Sequence, residues 1–534
     1  MYVSGIRGGC KIHCGILNRV AALYIIRICP RSDLQRTMHK KGIIILLSLL
    51  GLCCLSFVST NVPLGHWSYD AIDKLVGAGL IDSAMIATKP LSRLEMGRCI
   101  AEACEKAEGL QEKNRLILAV LDRLKKEFEQ ELITLGAVDG ASPGNFLKPV
   151  EDPYVKYLYG DNRPDTENLR GDEFDEGSNY RAGFASRMQI ADTVALYLHP
   201  EYPVSSEHPD RDVKLIEAYG KIGIGKAEVE VGKDSLWWGP GYHGSILMSN
   251  NAQPFKMIKV SNDRPMRLPW IFSGLGPFKA VWFLTELEKD RTIPEPKLTG
   301  LRINFKPHPA FDLGLSRAII FGGQGRPSVT VRDYWNIFWA TQENRAGNLD
   351  NDQLAGFDAS VLIPTAGLLP ARSIKLYTDW IGEDEASGLP SSWGKLYGVQ
   401  LNDLLRTGRT DLRIEYADDH VADKLNVFYN HHIYRSGYTY KGRIIGHPMG
   451  TDARDLFFRL SHYLTQDIIL GVEYDKETSN LSSSPQPSSQ QCGFDLTFFT
   501  PKNWQLKTGY RYENTKNSTW PDNQLLFVQV TYDF

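Results

Sequence analysis

The sequence predicts a mainly β fold, a large antiparallel transmembrane β-barrel of about 16–18 strands that follows a small N-terminal α-helical bundle. Three observations favour the barrel. Apolar and polar residues alternate along many segments after residue 150, the connections between these segments alternate between short and long, and the chain stops on an aromatic strand residue, Phe534.

Composition fits a folded protein without a general electrostatic attraction to polyanions. The 534 residues include 60 Lys and Arg against 63 Asp and Glu, which gives a formal net charge of −3, so we expect no nucleic acid partner. Hydrophobic residues make up 42% and aromatic residues 11%. A chain of this length is too long for a single packed core, so we expect either several domains or an architecture such as a barrel or a solenoid.

The first 60 residues indicate an export signal. A basic stretch at 38–41 precedes an apolar run at 42–58 and two small residues, which is the pattern of a signal peptide over residues 38–60. We expect cleavage after about Thr60, and an uncleaved membrane anchor is the alternative. Residues 1–37 are then an upstream extension ahead of the start at Met38.

Residues 61–140 form a predicted periplasmic helical bundle. Apolar residues recur at helical spacing in three stretches, each of which predicts one amphipathic helix. Ser92 with Glu95 makes a capping box that opens the second helix. The bundle either packs on a neighbouring domain or binds a ligand of its own, and a stretch with Gly and Pro at 140–144 marks its end.

The barrel is predicted over residues 150–534. Its last strand shows the pattern clearly, because Leu526 and Val528 share one face while Gln529 lies on the other. A soluble sandwich would alternate in the same way. Alternating connection lengths, however, are typical of an outer-membrane barrel. Short connections lie at 464–466 and 500–503, and long ones lie at 433–454, 477–491 and 514–523.

The sequence contains no catalytic signature, metal-ligand spacing or cofactor motif. The glycine-rich stretch at 322–325 lacks the lysine of a phosphate-binding loop, and no Gly-x-Ser-x-Gly segment occurs. His431 and His432 are adjacent and would point to opposite faces of a strand, which disfavours a shared metal. We therefore expect no enzyme, no metal and no cofactor, although a hydrolase assembled from separate strands stays open.

A segment rich in glycine and aromatic residues at 232–255 contains the main candidates for binding polysaccharide. Aromatic rings stack on the C–H faces of sugars, and amides pair with their hydroxyl groups. An inward-packed segment that stabilises the barrel is the alternative. The candidates are Trp237, Trp238, Tyr242, His243, Asn250 and Asn251 in this segment, and Trp335, Trp339 and Trp393 further along the chain.

The runs at 231–242 and 249–255 resemble the signature of the Wzi capsule-assembly family, and the double Trp at 237–238 is their most specific part. The resemblance implies an outer-membrane barrel of about 18 strands with a helical bundle at its periplasmic end. It further implies a lectin-like role in holding polysaccharide, with neither catalytic residues nor a cofactor. Within the helical part, 62–67 and 91–95 are similar to a surface-layer homology repeat, which implies binding to peptidoglycan or to another cell-wall polymer.

Taken together, residues and resemblance predict a monomer of the Gram-negative outer membrane that binds capsular or other surface polysaccharide and helps assemble or anchor the capsule. Its expected partners are that polysaccharide, outer-membrane lipid and, through the helical region, peptidoglycan. A passive sugar or solute pore is the alternative that the same polar lumen allows. A membrane-embedded hydrolase comes third.

Overall fold

The computed structural model describes residues 56–109, 114–142, 144–208, 212–330, 332–334, 350–386, 389–422 and 426–533. Their main feature is one closed antiparallel barrel of 18 strands, which confirms the predicted fold class. The strands are β1 (Phe146–Gly160), β2 (Gly177–Ile190), β3 (Val194–Ser205), β4 (Lys214–Ile224), β5 (Ala227–Asp234), β6 (Phe255–Asn262), β7 (Pro277–Glu286), β8 (Lys297–His308), β9 (Phe311–Phe321), β10 (Asp352–Pro364), β11 (Ser373–Ala386), β12 (Leu389–Leu404), β13 (Thr410–Asp418), β14 (Arg454–Tyr463), β15 (Ile468–Thr478), β16 (Ser488–Phe499), β17 (Trp504–Lys516) and β18 (Asn523–Tyr532).

The barrel closes because its first and last strands pair. Tyr154 of β1 lies opposite Thr531 of β18, and the register continues to Gly160 opposite Leu525. Each of these barrel strands therefore has a neighbour on both sides, and within the described part of the chain the barrel leaves no row of backbone N–H and C=O groups at an edge. A sheet closed in this way satisfies its own backbone hydrogen bonds, as the interior of a bilayer requires.

The two faces of the strands differ in exposure and chemistry. On β3 the outward-facing Leu196 and Leu198 are 39% and 42% exposed, whereas Tyr197 between them is buried. On the inner face, the buried guanidinium of Arg302 pairs with Asp358, with 2.5 Å between Nη1 and Oδ2. The exterior therefore suits lipid, and the interior holds charges in pairs.

Connection lengths differ between the two ends of the barrel, as the sequence predicts. One end, which we call the short-turn end, has tight connections such as 309–310, 464–467 and 500–503. The other, the long-loop end, has connections such as 161–176 and 419–453. In outer-membrane barrels short turns lie on the periplasmic side and long loops lie outside the cell.

Among the described residues, four helices precede the barrel. They are α1 (Ser68–Gly77), α2 (Arg93–Glu108), α3 (Arg115–Glu127) and α4 (Glu129–Thr134). Ser92 caps α2 as predicted, because its Oγ accepts a hydrogen bond of 3.2 Å from the backbone N–H of Glu95. Within the described ranges, no helix is both long and apolar enough to cross a membrane.

The third amphipathic stretch is two helices, which corrects the prediction of a single one. The chain leaves helical geometry at Phe128, where φ is −110° and ψ is 22°. The cause is tertiary. Arg93 of α2 donates a hydrogen bond of 2.6 Å to the carbonyl of Glu127 and lies over the Phe128 ring at 4.4 Å. Arg93 therefore stabilises the interruption between α3 and α4.

The helices pack against the short-turn end of the barrel. Arg123 of α3 donates a hydrogen bond of 2.7 Å to Asp467, and Asn114 donates one of 3.0 Å to the carbonyl of Thr407. Both acceptors lie in connections between barrel strands. The helical bundle therefore covers the end that short turns assign to the periplasm.

Residues just before the expected cleavage point contact both the barrel and the helices. The backbone N–H of Val58 donates to the carbonyl of Asp192 at 2.8 Å, and the Oγ of Ser59 accepts from the N–H of Leu94 at 2.9 Å. A chain cut after Thr60 would lose both contacts. The remainder of the proposed signal peptide and the upstream extension lie outside the described residues.

Candidate functional site

Two long connections fold into the barrel and pack against each other there. We call residues 235–254, between β5 and β6, the plug loop, and residues 419–453, between β13 and β14, the cap loop. The backbone N–H of Ser249 donates to the carbonyl of Ile445 at 2.9 Å, and Tyr429 donates from its hydroxyl to the carbonyl of Ile246. Apolar side chains of both loops belong to one buried cluster with the barrel wall. The lumen therefore has a hydrophobic core of its own.

Trp237 and Trp238 lie at the inner end of the plug loop. They pair as a short strand with Thr88–Lys89 of the helical region. The two indoles are 6% and 1% exposed, and the Trp238 ring lies 5.4 Å from that of Phe283. Direct stacking of these rings on a sugar stays a prediction, and their burial does not favour it. Their position instead matches the alternative of an inward-packed segment.

Tyr242 holds the plug loop to the barrel wall. Its ring lies 4.2 Å from the guanidinium group of Arg413 and 5.9 Å from that of Arg459. Its backbone N–H donates a hydrogen bond of 2.7 Å to Glu415. The two cations and the bond to Glu415 hold the loop against β13 and β14.

His243 is held in one orientation by its surroundings. Its backbone N–H donates to Glu415 at 2.8 Å, and its ring stacks on Phe457 at a centroid distance of 4.1 Å. Burial alone would lower its pKa, but the carboxylates of Asp475 and Glu167 raise the pKa of His243 to about 9. The imidazole therefore carries a positive charge at neutral pH when no other cation is bound to it.

Carboxyl groups converge on the His243 ring from three separate segments. Its Nε2 lies 3.3 Å from Glu167 Oε2, 3.4 Å from Asp455 Oδ2 and 3.8 Å from Asp475 Oδ2. Glu167 comes from the connection between β1 and β2, while Asp455 and Asp475 lie on β14 and β15. Sequence analysis missed this group, because no spacing along the chain relates its members.

Asn250 and Asn251 connect the plug loop to its neighbours. The amide nitrogen of Asn250 donates to the carbonyl of Asn168 at 3.2 Å, and that of Asn251 donates to the carbonyl of Ile444 at 3.1 Å. Both side chains are at least nine-tenths buried. Their contacts join the connection at 161–176, the plug loop and the cap loop into one assembly.

The remaining candidates lie elsewhere. Trp393 is on β12, where its neighbours Ser392 and Gly394 are buried, and its ring lies 6.1 Å from that of Trp380. This alternation places Trp393 on the outer face of the barrel wall and away from the plug loop. Trp335 and Trp339 lie outside the described residues, so their role in binding polysaccharide stays a prediction.

A family profile described as capsule assembly protein Wzi matches residues 161–524, which is more than half of the chain. The chain belongs to the Wzi capsule assembly family. The match includes the plug loop and the cap loop, and it ends within β18. The helices lie outside it.

Two individual proteins extend the comparison. A 55.8 kDa protein in the cps region of Klebsiella pneumoniae is 30% identical over 187 residues, which are 34% of this chain and 36% of that protein. The match thus spans about a third of that relative's length. The structure of Wzi of Escherichia coli, an outer-membrane protein involved in group 1 capsule assembly and described as a carbohydrate-binding β-barrel, superposes with a TM-score of 0.69 at 20% identity. That superposition covers 90% of this chain and 100% of the other, and it shows a shared fold.

Proposed function

We propose that this protein is an outer-membrane barrel that binds capsular polysaccharide and helps organise the capsule at the cell surface. The observation that carries the proposal is the family match over residues 161–524, because these residues include every long loop of the barrel. The similar fold of a carbohydrate-binding Wzi supports it. The apolar exterior of the closed sheet supports the outer membrane as its location.

The proposed contact surface is the long-loop end of the barrel. Its exposed side chains include the indole of Trp520, which is 52% exposed and can stack on a sugar ring. Exposed cationic and polar side chains of the other long loops can pair with acidic or hydroxyl groups of a polymer. Examples of exposed residues in these loops are Arg163, His432, Arg435 and Lys441.

A passive pore fits the structure less well than a binding protein does. The plug loop and the cap loop fill the lumen with a buried apolar cluster, and α1 to α4 cover the short-turn end. Steady conductance needs a continuous polar path, which these elements interrupt. We propose that the protein acts by binding and catalyses no reaction. Contact with peptidoglycan and a monomeric state stay predictions.

The test is binding of purified capsular polymer to the full chain, folded in detergent, by biolayer interferometry. Trp520→Ala should weaken binding roughly two- to tenfold, because an aromatic contact is worth about 0.5–1.5 kcal/mol. The matched control is Trp504→Ala, an indole that is 47% exposed at the short-turn end and should leave binding unchanged. Failure of any surface polysaccharide to bind the folded barrel would refute the proposal.

A further inference from the structure

The geometry points to a divalent-cation site formed by Glu167, His243 and Asp475, with Asp455 beside them, in the outer part of the lumen. One ligand atom of each of the first three lies within 4.8 Å of the other two. The His243 Nε2 is 3.3 Å from Glu167 Oε2 and 3.4 Å from Asp455 Oδ2. Ligands bound to one tetrahedral ion at about 2.1 Å lie roughly 3.4 Å apart. Small side-chain adjustments would therefore complete the coordination sphere.

Unpaired carboxylate oxygens point to a missing cation. Asp475 is 4% exposed, and its oxygens accept no hydrogen bond from an N–H or hydroxyl donor of the described residues, the nearest cation being His243 Nε2 at 3.8 Å from Oδ2. Oδ1 of Asp455 also lacks such a donor there. The single Nε2–H of His243 cannot satisfy all three carboxylates, and burying a carboxylate without its own donor costs several kcal/mol. One bound ion could be coordinated by all of these oxygens together.

The local balance of charge favours the same conclusion. Glu477 adds a fourth carboxyl group, which interacts electrostatically with Glu167 and Asp475. The opposing cation is Arg511, which also donates a hydrogen bond of 2.9 Å to Gln491. Four acidic groups thus face one guanidinium group and one imidazole ring. A divalent cation would reduce this excess of negative charge.

His447 of the cap loop helps to define which ring binds the ion. Its Nδ1 accepts a hydrogen bond of 3.3 Å from the backbone N–H of Met449, so Nε2 holds the proton and points at Asp455 Oδ2, 3.7 Å away. His447 could ligate a metal through Nε2 only if its proton moved to Nδ1, and Nδ1 already accepts the bond from Met449. His447 is therefore a positioning residue for Asp455, and His243 supplies the imidazole ligand.

The donor set and the position of the site restrict which ion can bind. One imidazole with two or three carboxylates suits Zn²⁺ or Mn²⁺, whereas Ca²⁺ and Mg²⁺ prefer ligand sets made only of oxygen. The His243 and Glu167 side chains keep 14% and 12% of their surface exposed, which leaves a route from the long-loop end. An ion here would join the connection at 161–176 and the plug loop to β14 and β15.

The test is calorimetric titration of the full chain, folded in detergent and stripped with a chelator, with ZnCl₂ and separately with MnCl₂. We expect one ion per chain. His243→Gln and Asp475→Asn should each weaken binding by about 100-fold or more, since even outer groups of a metal site contribute 10–100-fold. Nitrogen coupling in the pulsed EPR spectrum of bound Mn²⁺ should be present in the native chain and absent in the His243→Gln variant.

A second group of Asp175, Glu207 and His208 provides the matched control, because it also brings three ligand atoms together and two of its members are exposed. His208→Gln should leave the titration unchanged. Loss of binding in His208→Gln, absence of stoichiometric binding, or unaltered binding in His243→Gln would each overturn the proposal. Heat-modifiable gel mobility checks that every variant is folded. Polymer binding is measured separately, so the metal site stands or falls independently of the proposed function.

Discussion

Replacing Asp73 by Asn tests the ion pairs that dock the helices into the barrel. The Asp73 carboxylate accepts hydrogen bonds from Arg413 at 2.7 Å, Gln400 at 2.8 Å and Lys375 at 3.2 Å, on three adjacent strands. Asn keeps the shape but leaves both cations without their counterion. Loss of one partner from a buried pair costs about 3–5 kcal/mol. The Lys375 and Arg413 side chains are 12% and 15% exposed. We therefore expect the docking free energy to fall by the lower end of this range, about 3 kcal/mol.

Hydrogen exchange of the full chain in detergent measures this cost directly. A loss of about 3 kcal/mol corresponds to roughly a 100-fold rise in the population of the undocked state, because 1.4 kcal/mol is tenfold. Amide protection in α1 should fall by that factor in Asp73→Asn. The matched control is Asp70→Asn, the same change at an exposed position of the same helix. Unchanged protection in Asp73→Asn, or an equal loss in both variants, would refute the reasoning.

The same contacts predict a dependence on pH. Burial alone would raise the pKa of Asp73, but Lys375 and Arg413 hold it well below its usual range. A lowered pKa in the folded state means that the stabilisation is present above the unfolded value of about 3.9 and is lost as the pH falls towards the folded value. Protection of α1 should therefore decrease below about pH 4 in the native chain, and Asp73→Asn should lack this step.

Two further substitutions test the packing of the lumen. Trp238→Ala should lower the free energy of unfolding in urea by about 3–5 kcal/mol, because a large buried ring leaves a cavity, whereas Trp270→Ala at a 90% exposed position should change it little. Gly244→Ala would place a Cβ 2.1 Å from the His447 ring. The temperature at which heating shifts the gel mobility of the protein should therefore fall in this variant. Gly65→Ala is the control, because a Cβ there has no atom within 4 Å and should leave that temperature unchanged. Equal effects in a variant and its control would contradict either expectation.

Much of the barrel could be predicted from sequence because its signals are local. Alternation along β18 requires only that one face meets lipid and the other the lumen, and short turns such as 500–503 follow from the positions of flanking strands. The break at Phe128 could not be predicted in this way. It depends on Arg93, a residue 35 positions earlier, which reaches the carbonyl of Glu127 only in the folded bundle.

The sequence predicted which residue types form the candidate site, but it did not predict which way the segment faces. Glycine and aromatic residues at 232–255 indicate an irregular segment, yet they do not determine whether it turns outward to solvent or inward to the lumen. That choice depends on partners from distant segments, such as Arg413 beside Tyr242 and Ile445 beside Ser249. The carboxyl groups around His243 come together for the same reason, through the pairing of strands and the path of loops.

The filled lumen has a consequence for how this protein can diverge. A hollow barrel relies on its wall alone, whereas here an internal core braces the wall and supports the bases of the loops from within. Tips of those loops, such as the one that bears Trp520, contribute little to that core. Mutations at the tips can therefore accumulate and change which sugars are recognised, while the scaffold beneath them stays intact.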